Sequence, residues 1–129
     1  MRQLILLVVG MLMALTAQAL GLGGLTVNSA LGQPMDAEIE VVSVTIDDVP
    51  KMKIGIASPA VFEQNGIPYV QSLHLLKFKV KEKPDGQVVI GVSSKEPIRE
   101  PVVEFVLDVS WPRGHLRRAY SAIISPVGM

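Results

Sequence analysis

Apolar and polar residues alternate with a period of two along most of this chain, and most regularly near its C-terminal end. In the run 102–111 Phe105, Leu107 and Val109 fall on one side of an extended chain, and Glu104 and Asp108 fall on the other. Because successive side chains of a strand point to opposite faces, this run predicts a strand with one face in a core. A second alternating run, 116–125, follows a four-residue connection, Pro112-Arg113-Gly114-His115. Together the two runs predict a long antiparallel hairpin.

The same alternation predicts five further strands, separated by residues that favour turns. The predicted strands are residues 21–27, 35–44, 51–57, 73–81, 87–93, 102–111 and 116–125. About seven short strands of this kind are typical of an all-β, immunoglobulin-like sandwich of two antiparallel sheets. We therefore expect one such domain.

The period of two is broken at one place, where a short helix is predicted over Pro59–Asn65. Ser58 is a favoured N-cap residue, and Gly66 is well placed to end the helix. Val61 and Phe62 are expected to pack inward from it. A helix this short forms only when it is packed against the rest of a fold.

The N-terminus has the three-part pattern of a secretory signal peptide. Arg2 supplies a positive start, residues 4–15 form an apolar run, and Ala17 and Ala19 make a small-x-small cleavage site. The apolar run is shorter than the roughly 20 residues that span a bilayer, so cleavage is favoured over a retained anchor. We expect an exported domain of residues 20–129, with no transmembrane helix once the signal is removed.

Composition excludes several classes of function. Twelve basic and twelve acidic residues balance, which gives no electrostatic reason to expect a nucleic acid or an anionic membrane surface as the partner. The chain has no cysteine, so thiolate catalysis and thiolate metal sites are excluded. The core alone must hold the exported domain together.

Candidate chemistry is sparse. His74 and His115 are the only histidines; we expect His74 on a strand face and His115 solvated in the last turn. A zinc site needs three or four converging ligands, and no such grouping accompanies either histidine. No Gly-x-Ser-x-Gly motif marks a nucleophile. The sequence thus predicts no catalytic residue, no metal and no cofactor, and the chain is not expected to be an enzyme.

Two strands carry charge of one sign on their polar side. The acidic residues are Asp36, Glu38 and Glu40, and the basic residues are Lys77, Lys79, Lys81 and Lys83. Both sets are expected to be solvated outer faces. For the lysines, a surface that binds peptidoglycan, lipopolysaccharide or an acidic partner is the alternative.

One end of the predicted sandwich collects the most distinctive side chains, and we take it as the candidate interaction end. Glu96 and Glu100 flank Arg99, which favours an ion-pair network over an acid–base pair. Trp111 is expected to anchor the core at the hairpin end, with an exposed binding aromatic as the alternative. Arg113 adds charge in the same turn. Structural roles are favoured for these residues, and contact roles remain open.

Several patches, spread in order from Leu20 to Tyr120, resemble the N-terminal periplasmic domain of the FimV family. They are Leu20-Gly-Leu-Gly, the run from Ser29 to Ile39, Ala57-Ser-Pro, the run from Ser94 to Pro101, and Trp111-Pro-Arg-Gly with Tyr120. The resemblance implies a periplasmic domain that assists type IV pilus and secretin assembly, and with it twitching motility. Its partners are expected among envelope and pilus-assembly proteins.

The resemblance has limits that keep a second function open. Members of the family add a LysM peptidoglycan-binding module, a membrane helix and a cytoplasmic region, whereas this sequence stops at Met129. Gly24 and Ala119 stand where acidic residues are expected. A fragment and a short relative are both consistent with this. The favoured function is contact with proteins through a sheet face or edge, and a small module for peptidoglycan or another envelope glycan is the alternative.

Overall fold

Seven strands form two antiparallel sheets with one short α-helix, which confirms the predicted all-β sandwich. The computed structural model describes residues 20–126, so the signal peptide predicted over residues 1–19 lies outside the described residues. The strands are β1 (Gly21–Val27), β2 (Pro34–Val42), β3 (Lys53–Ile56), β4 (Lys77–Glu82), β5 (Val88–Pro97), β6 (Val102–Trp111) and β7 (Gly114–Ile123). The larger sheet has the order β1-β2-β5-β4 and the smaller one the order β3-β6-β7.

The core lies between the two sheets and is built by the alternation that the sequence displays. Ile39 and Ile90 of the larger sheet are fully buried, as is Phe105 of the smaller one. The ring of Phe105 lies 5.8 Å from that of Phe78 and 5.8 Å from that of Tyr120, centroid to centroid. The Phe105–Phe78 contact joins the two sheets, and the Phe105–Tyr120 contact lies within the smaller one.

The last hairpin is confirmed, but its turn is shorter than predicted. β6 pairs with β7 in unbroken register from Val102 opposite Ile123 to Trp111 opposite Gly114. The connection is therefore two residues long, where four were predicted. A β-carbon at Gly114 would lie 3.0 Å from the Trp111 ring, so the absence of a side chain lets the strands pair up to the turn.

The strand predicted over residues 73–81 begins only at Lys77. A 3₁₀ helix, Gln71–Leu75, occupies the start of that range, and the prediction of His74 on a strand face is therefore wrong. Leu73 and Leu76 are both buried, and their spacing of three matches the three-residue period of a 3₁₀ helix rather than that of a strand.

The predicted turn before β3 is also a 3₁₀ helix, Ile46–Lys51, and it shortens β3 to four residues. β2 ends at Val42, two residues earlier than predicted. β5 runs on to Pro97, past its predicted end at 93. The hydroxyl of Ser94 extends it: Ser94 Oγ accepts the Met35 N–H over 2.7 Å across an irregularity in the register between β2 and β5.

The predicted helix is confirmed as α1 (Pro59–Gln64), with Val61 and Phe62 buried. Gly66 follows it at φ +69°, a left-handed conformation that favours glycine and ends the helix. Ser58 holds the N-cap position without a capping hydrogen bond from its side chain. None of the helices described within residues 20–126 is both long and apolar enough to cross a bilayer.

Candidate interaction surfaces

The five residues of the candidate interaction end lie in two places. Glu96, Arg99 and Glu100 lie before the start of β6, and Trp111 and Arg113 lie at its other end. A ten-residue strand separates the two groups, which is roughly 30 Å at about 3.3 Å per residue. They do not form one end, because β6 runs between them. A contact role for either group stays a prediction.

The ion-pair network predicted around Arg99 is wrong. Among the described residues the ion pairs join Lys83 to Glu38 and Arg117 to Asp108. The segment around Arg99 is held instead by Ile98, whose backbone bonds to that of Gln33 (3.0 Å) and that of Gly32 (2.8 Å). Ile98 is only 2% exposed, while the charged residues beside it are exposed.

Trp111 packs against the core from the hairpin end, as predicted. It is half-buried, and with Leu20, Asp48 and Arg113 it lines a small cavity of about 110 Å³. Asp48 is the one charged residue among the described part that is buried, at 9% exposure. The alternation of apolar and polar residues did not single out Asp48, because it lies in the 3₁₀ helix between β2 and β3.

The acidic face of β2 and the lysines of β4 lie on the same outer face of the larger sheet, with β5 between them. Lys83 Nζ contacts Glu38 Oε2 at 2.7 Å across that face. The hydrogen bond to Glu38 and the negative charge of its carboxylate raise the pKa of Lys83 above its ordinary value. The two stripes, predicted separately as solvated faces, are therefore joined by an ion pair.

Val89 lies beneath that ion pair and was not singled out in the sequence. It is opposite Glu40 on one side and Lys81 on the other, so its side chain points outward from the sandwich. Nevertheless it is only 3% exposed. In the register of the sheet Val89 lies midway between Glu38 and Lys83, and the paired side chains cross over it.

The outer face of the smaller sheet carries a polar cluster that the sequence analysis missed. His115 lies on β7 opposite Ser110 and bonds to Asp108, so its predicted place in the turn is wrong, whereas its predicted exposure to solvent is confirmed. The Asp108 carboxylate also lies 3.5 Å from Arg117 Nε. Strand pairing brings these residues together from both sides of the turn, and only knowledge of the register could have shown it.

Ser, His and Asp side chains in one cluster are the ingredients of a hydrolase triad, but the arrangement here differs from one. A triad needs its carboxylate to orient the histidine and an oxyanion site beside the serine. Asp108 is shared with Arg117, and the cluster lies on an open sheet face. Within residues 20–126, no group of three or more His, Cys, Asp or Glu side chains is placed to hold a metal ion.

β7 closes one side of the sandwich by reaching across to β1, and we call these contacts the seam. Tyr120 Oη donates to the carbonyl of Gly23 (2.8 Å), and the Arg118 guanidinium donates to that of Leu22. Both acceptors lie at the irregular part of β1, between Leu22 and Leu25. The Arg118 guanidinium also lies 4.9 Å from the centre of the Tyr120 ring.

The opposite side of the smaller sheet is only partly closed. β3 covers residues 107–110 of β6, and beyond it the edge of β6 faces a groove of about 190 Å³. Val70, Val102 and Glu104 line this groove, with Glu100 at its end. Val70 and Val102 are 43% and 49% exposed, so the groove has an apolar floor open to solvent.

Comparison with known proteins gives consistent findings. The family described as the FimV N-terminal Ig-like domain matches residues 20–127. Two curated relatives, each called motility hub protein FimV, come from Pseudomonas aeruginosa strains PAO1 and UCBPP-PA14. Each is 41% identical over 110 residues, which is 85% of this chain and 12% of the relative. The chain thus spans about an eighth of the length of these relatives, and no solved structure matches it.

Proposed function

Since this chain belongs to the family of the FimV N-terminal Ig-like domain, we propose that it is a non-enzymatic interaction domain of the periplasm. It contacts proteins of the cell envelope that assemble the type IV pilus and its secretin, and through them it supports twitching motility. The observation that carries the proposal is the 41% identity to motility hub proteins, which extends over 110 residues.

The described surface supports contact rather than catalysis. The polar cluster around Asp108 lies on an open strand face, and the charged stripes of β2 and β4 lie on the outer face of the larger sheet. The partly open edge of β6 offers backbone groups and apolar side chains together. An exposed sheet edge of this kind can bind an extended segment of another protein by strand addition.

Export to the periplasm rests on the signal peptide pattern that ends at Ala19. Leu20, the first residue after the proposed cleavage site, is buried in the core of the domain. The mass of the protein recovered from the periplasm tests this, with a chain starting at Leu20 expected. A chain that retains Arg2 contradicts it.

The function is tested in a strain from which the gene is deleted and then restored. We expect the deletion to reduce the diameter of the twitching zone and the amount of assembled secretin multimer on an immunoblot, and the full chain to restore both. Formaldehyde crosslinking to the tagged chain in the same cells is expected to capture envelope proteins. Normal twitching and multimer levels in the deletion strain contradict the proposal.

A glycan-binding module is the second candidate, and the exposed lysines of β4 favour it. Lys77, Lys79 and Lys81 are all exposed along one strand. Sedimentation of the purified protein with peptidoglycan sacculi distinguishes the two functions. Sedimentation that is lost when the three lysines are changed to Gln, with no protein captured in cells, favours the glycan module over the protein-interaction domain.

A further inference from the structure

We propose that the free edge of β6 at Val102–Glu104 is the docking strand of this domain, and that it accepts an extended segment of a partner protein in which apolar and basic residues alternate. The inference rests on the proposed function, because it names the surface through which the domain makes its protein contacts. The added segment would continue the smaller sheet beyond the end of β3.

The hydrogen-bonding pattern of β6 shows which backbone groups are available. The Ile124 N–H donates to the Pro101 carbonyl (2.9 Å), so every second residue from Pro101 onward bonds to β7. Val102 and Glu104 are the residues in between, and their N–H and C=O groups point away from β7. On that side Ala57 N–H reaches the Val106 carbonyl (2.9 Å), and this is the last bond before the groove.

Within the described residues, no backbone or side-chain partner bonds to the outward groups of Val102 and Glu104. β3 ends at Ile56, where the chain turns away into α1, and beyond that point the edge of β6 faces the groove, with Val70 on its far side. An extended segment along that edge, antiparallel to β6, takes the place that a longer β3 would have had. It can form up to four backbone hydrogen bonds there, two with each residue.

Apolar side chains line the groove, and a bound segment would remove their exposed surface from water. Val70 lies on the loop side and Val102 on the strand side, and both are close to half exposed. Ile123, directly opposite Val102 on β7, is 71% exposed and extends the apolar surface across the sheet. A monomer seldom leaves neighbouring valine and isoleucine side chains this open beside an unpaired edge.

The charge of the groove selects the occupant. Glu100 and Glu104 are both exposed, both line it, and neither forms an ion pair within residues 20–126. Val102 and Glu104 share one face of β6, so a segment with lysine or arginine at alternate positions sets its basic side chains on the face that carries Glu104, while its apolar side chains point to the other face, on the side of the buried Val103. The edge of β4, by contrast, carries lysines and suits an acidic segment. The two edges therefore differ in the partner that they accept.

Synthetic peptides test the proposal directly on the full chain. The probes are an eight-residue peptide that alternates Val and Lys, a matched peptide that alternates Val and Glu, and the Val–Lys peptide with alternate backbone nitrogens methylated. We expect saturable binding of the Val–Lys peptide by fluorescence anisotropy, at least tenfold tighter than that of either other peptide. Equal binding of all three overturns the proposal.

Substitutions at Glu104 locate the binding. The Glu104 N–H points away from β7, so Glu104→Pro removes a docking donor without breaking a bond to β7. Glu104→Lys reverses the charge and serves also if the proline variant fails to fold. Each is expected to weaken Val–Lys binding at least tenfold, while Glu82→Lys, an exposed acid at the end of β4, leaves it unchanged.

Amide NMR shifts and the crosslinking in cells complete the test. Shifts centred on Val102 and Glu104 support the docking strand, and shifts centred on the acidic face of β2 overturn it. Envelope proteins that crosslink equally to wild type and to Glu104→Lys overturn the docking strand but leave the proposed function intact. Dimerisation of the chain through this edge, seen by sedimentation, assigns the groove to a second copy and also overturns the proposal.

Discussion

Tyr120 lies near the end of the chain but makes contacts that stabilise both sheets. Its ring packs against Phe105 in the core, and its hydroxyl crosses to the carbonyl of Gly23 in the other sheet. One side chain thus contributes apolar burial and also satisfies a backbone acceptor at the irregular part of β1.

Removing the Tyr120 hydroxyl should destabilise the domain measurably. Tyr120→Phe keeps the ring and leaves the Gly23 carbonyl without its donor, which should cost about 1 kcal/mol of unfolding free energy. Urea denaturation at pH 7 measures it. Tyr69→Phe is the matched control: Tyr69 is 39% exposed, and little change is expected. Equal losses in the two variants contradict a specific role for the seam.

The same tyrosine gives the domain a sensitivity to alkali. Burial raises the pKa of Tyr120, and the nearby Arg118 only partly opposes this. Above pH 10, the ordinary tyrosine pKa, the unfolded chain loses its proton before the folded one, so stability falls as pH rises toward the folded pKa.

The difference in unfolding free energy between wild type and Tyr120→Phe should therefore shrink between pH 9 and pH 11. Taking the difference removes the titration of other groups that both proteins share. A difference that stays constant over this range contradicts the pKa assignment.

At the scale of elements, the larger sheet has a second, smaller apolar contact on its outer face, where Val89 lies under the Lys83–Glu38 pair. Val89→Ala should cost about 1–2 kcal/mol of unfolding free energy, as for a core valine. Val42→Ala on β2, where the side chain is 41% exposed, should change the same quantity by less than about 0.5 kcal/mol. Chemical denaturation measures the unfolding free energy of both variants. Equally small losses in the two would contradict the burial of the Val89 side chain.

The elements that the sequence predicts best are those whose side chains alternate over many residues. β1 and β6 were predicted with their exact bounds, because burial of one face fixes each alternating pattern locally. α1 was predicted to within one residue from Ser58 and Gly66, which mark its two ends. The two 3₁₀ helices were missed because five or six residues are too few to display a period. The burial of Val89 was missed because its cover comes from strands β2 and β4, which are not adjacent in sequence to it.

The candidate site was harder to predict than the fold, for a physical reason. Glu100 was identified and does line the groove, whereas Trp111 and Arg113 lie at the far end of β6. A free edge exists only where a neighbouring strand stops short, and the length of β3 depends on the 3₁₀ helix before it and the turn into α1 after it. Neither the residue types nor their spacing within β6 indicates where β3 ends.

At the scale of the whole molecule, the two sheets share one core and should unfold together. Trp111, the sole tryptophan, reports on the hairpin end, and far-ultraviolet circular dichroism reports on all the strands. The urea midpoints from the two signals should coincide, because single domains of this size usually unfold in one step. A fluorescence transition at clearly lower urea would show that the Trp111 end opens by itself.

The seam also sets an order of events during synthesis. Arg118 and Tyr120 follow their acceptors by 96 and 97 positions along the chain. β1 can therefore form these two hydrogen bonds only after nearly the whole domain has been made. The ribosome makes the chain from its N-terminus. Until the last hairpin emerges, the Leu22 and Gly23 carbonyls of β1 therefore lack the side chains that donate to them. The fold therefore stays incomplete, and the chain accessible to chaperones or export machinery, for almost the whole time of its translation.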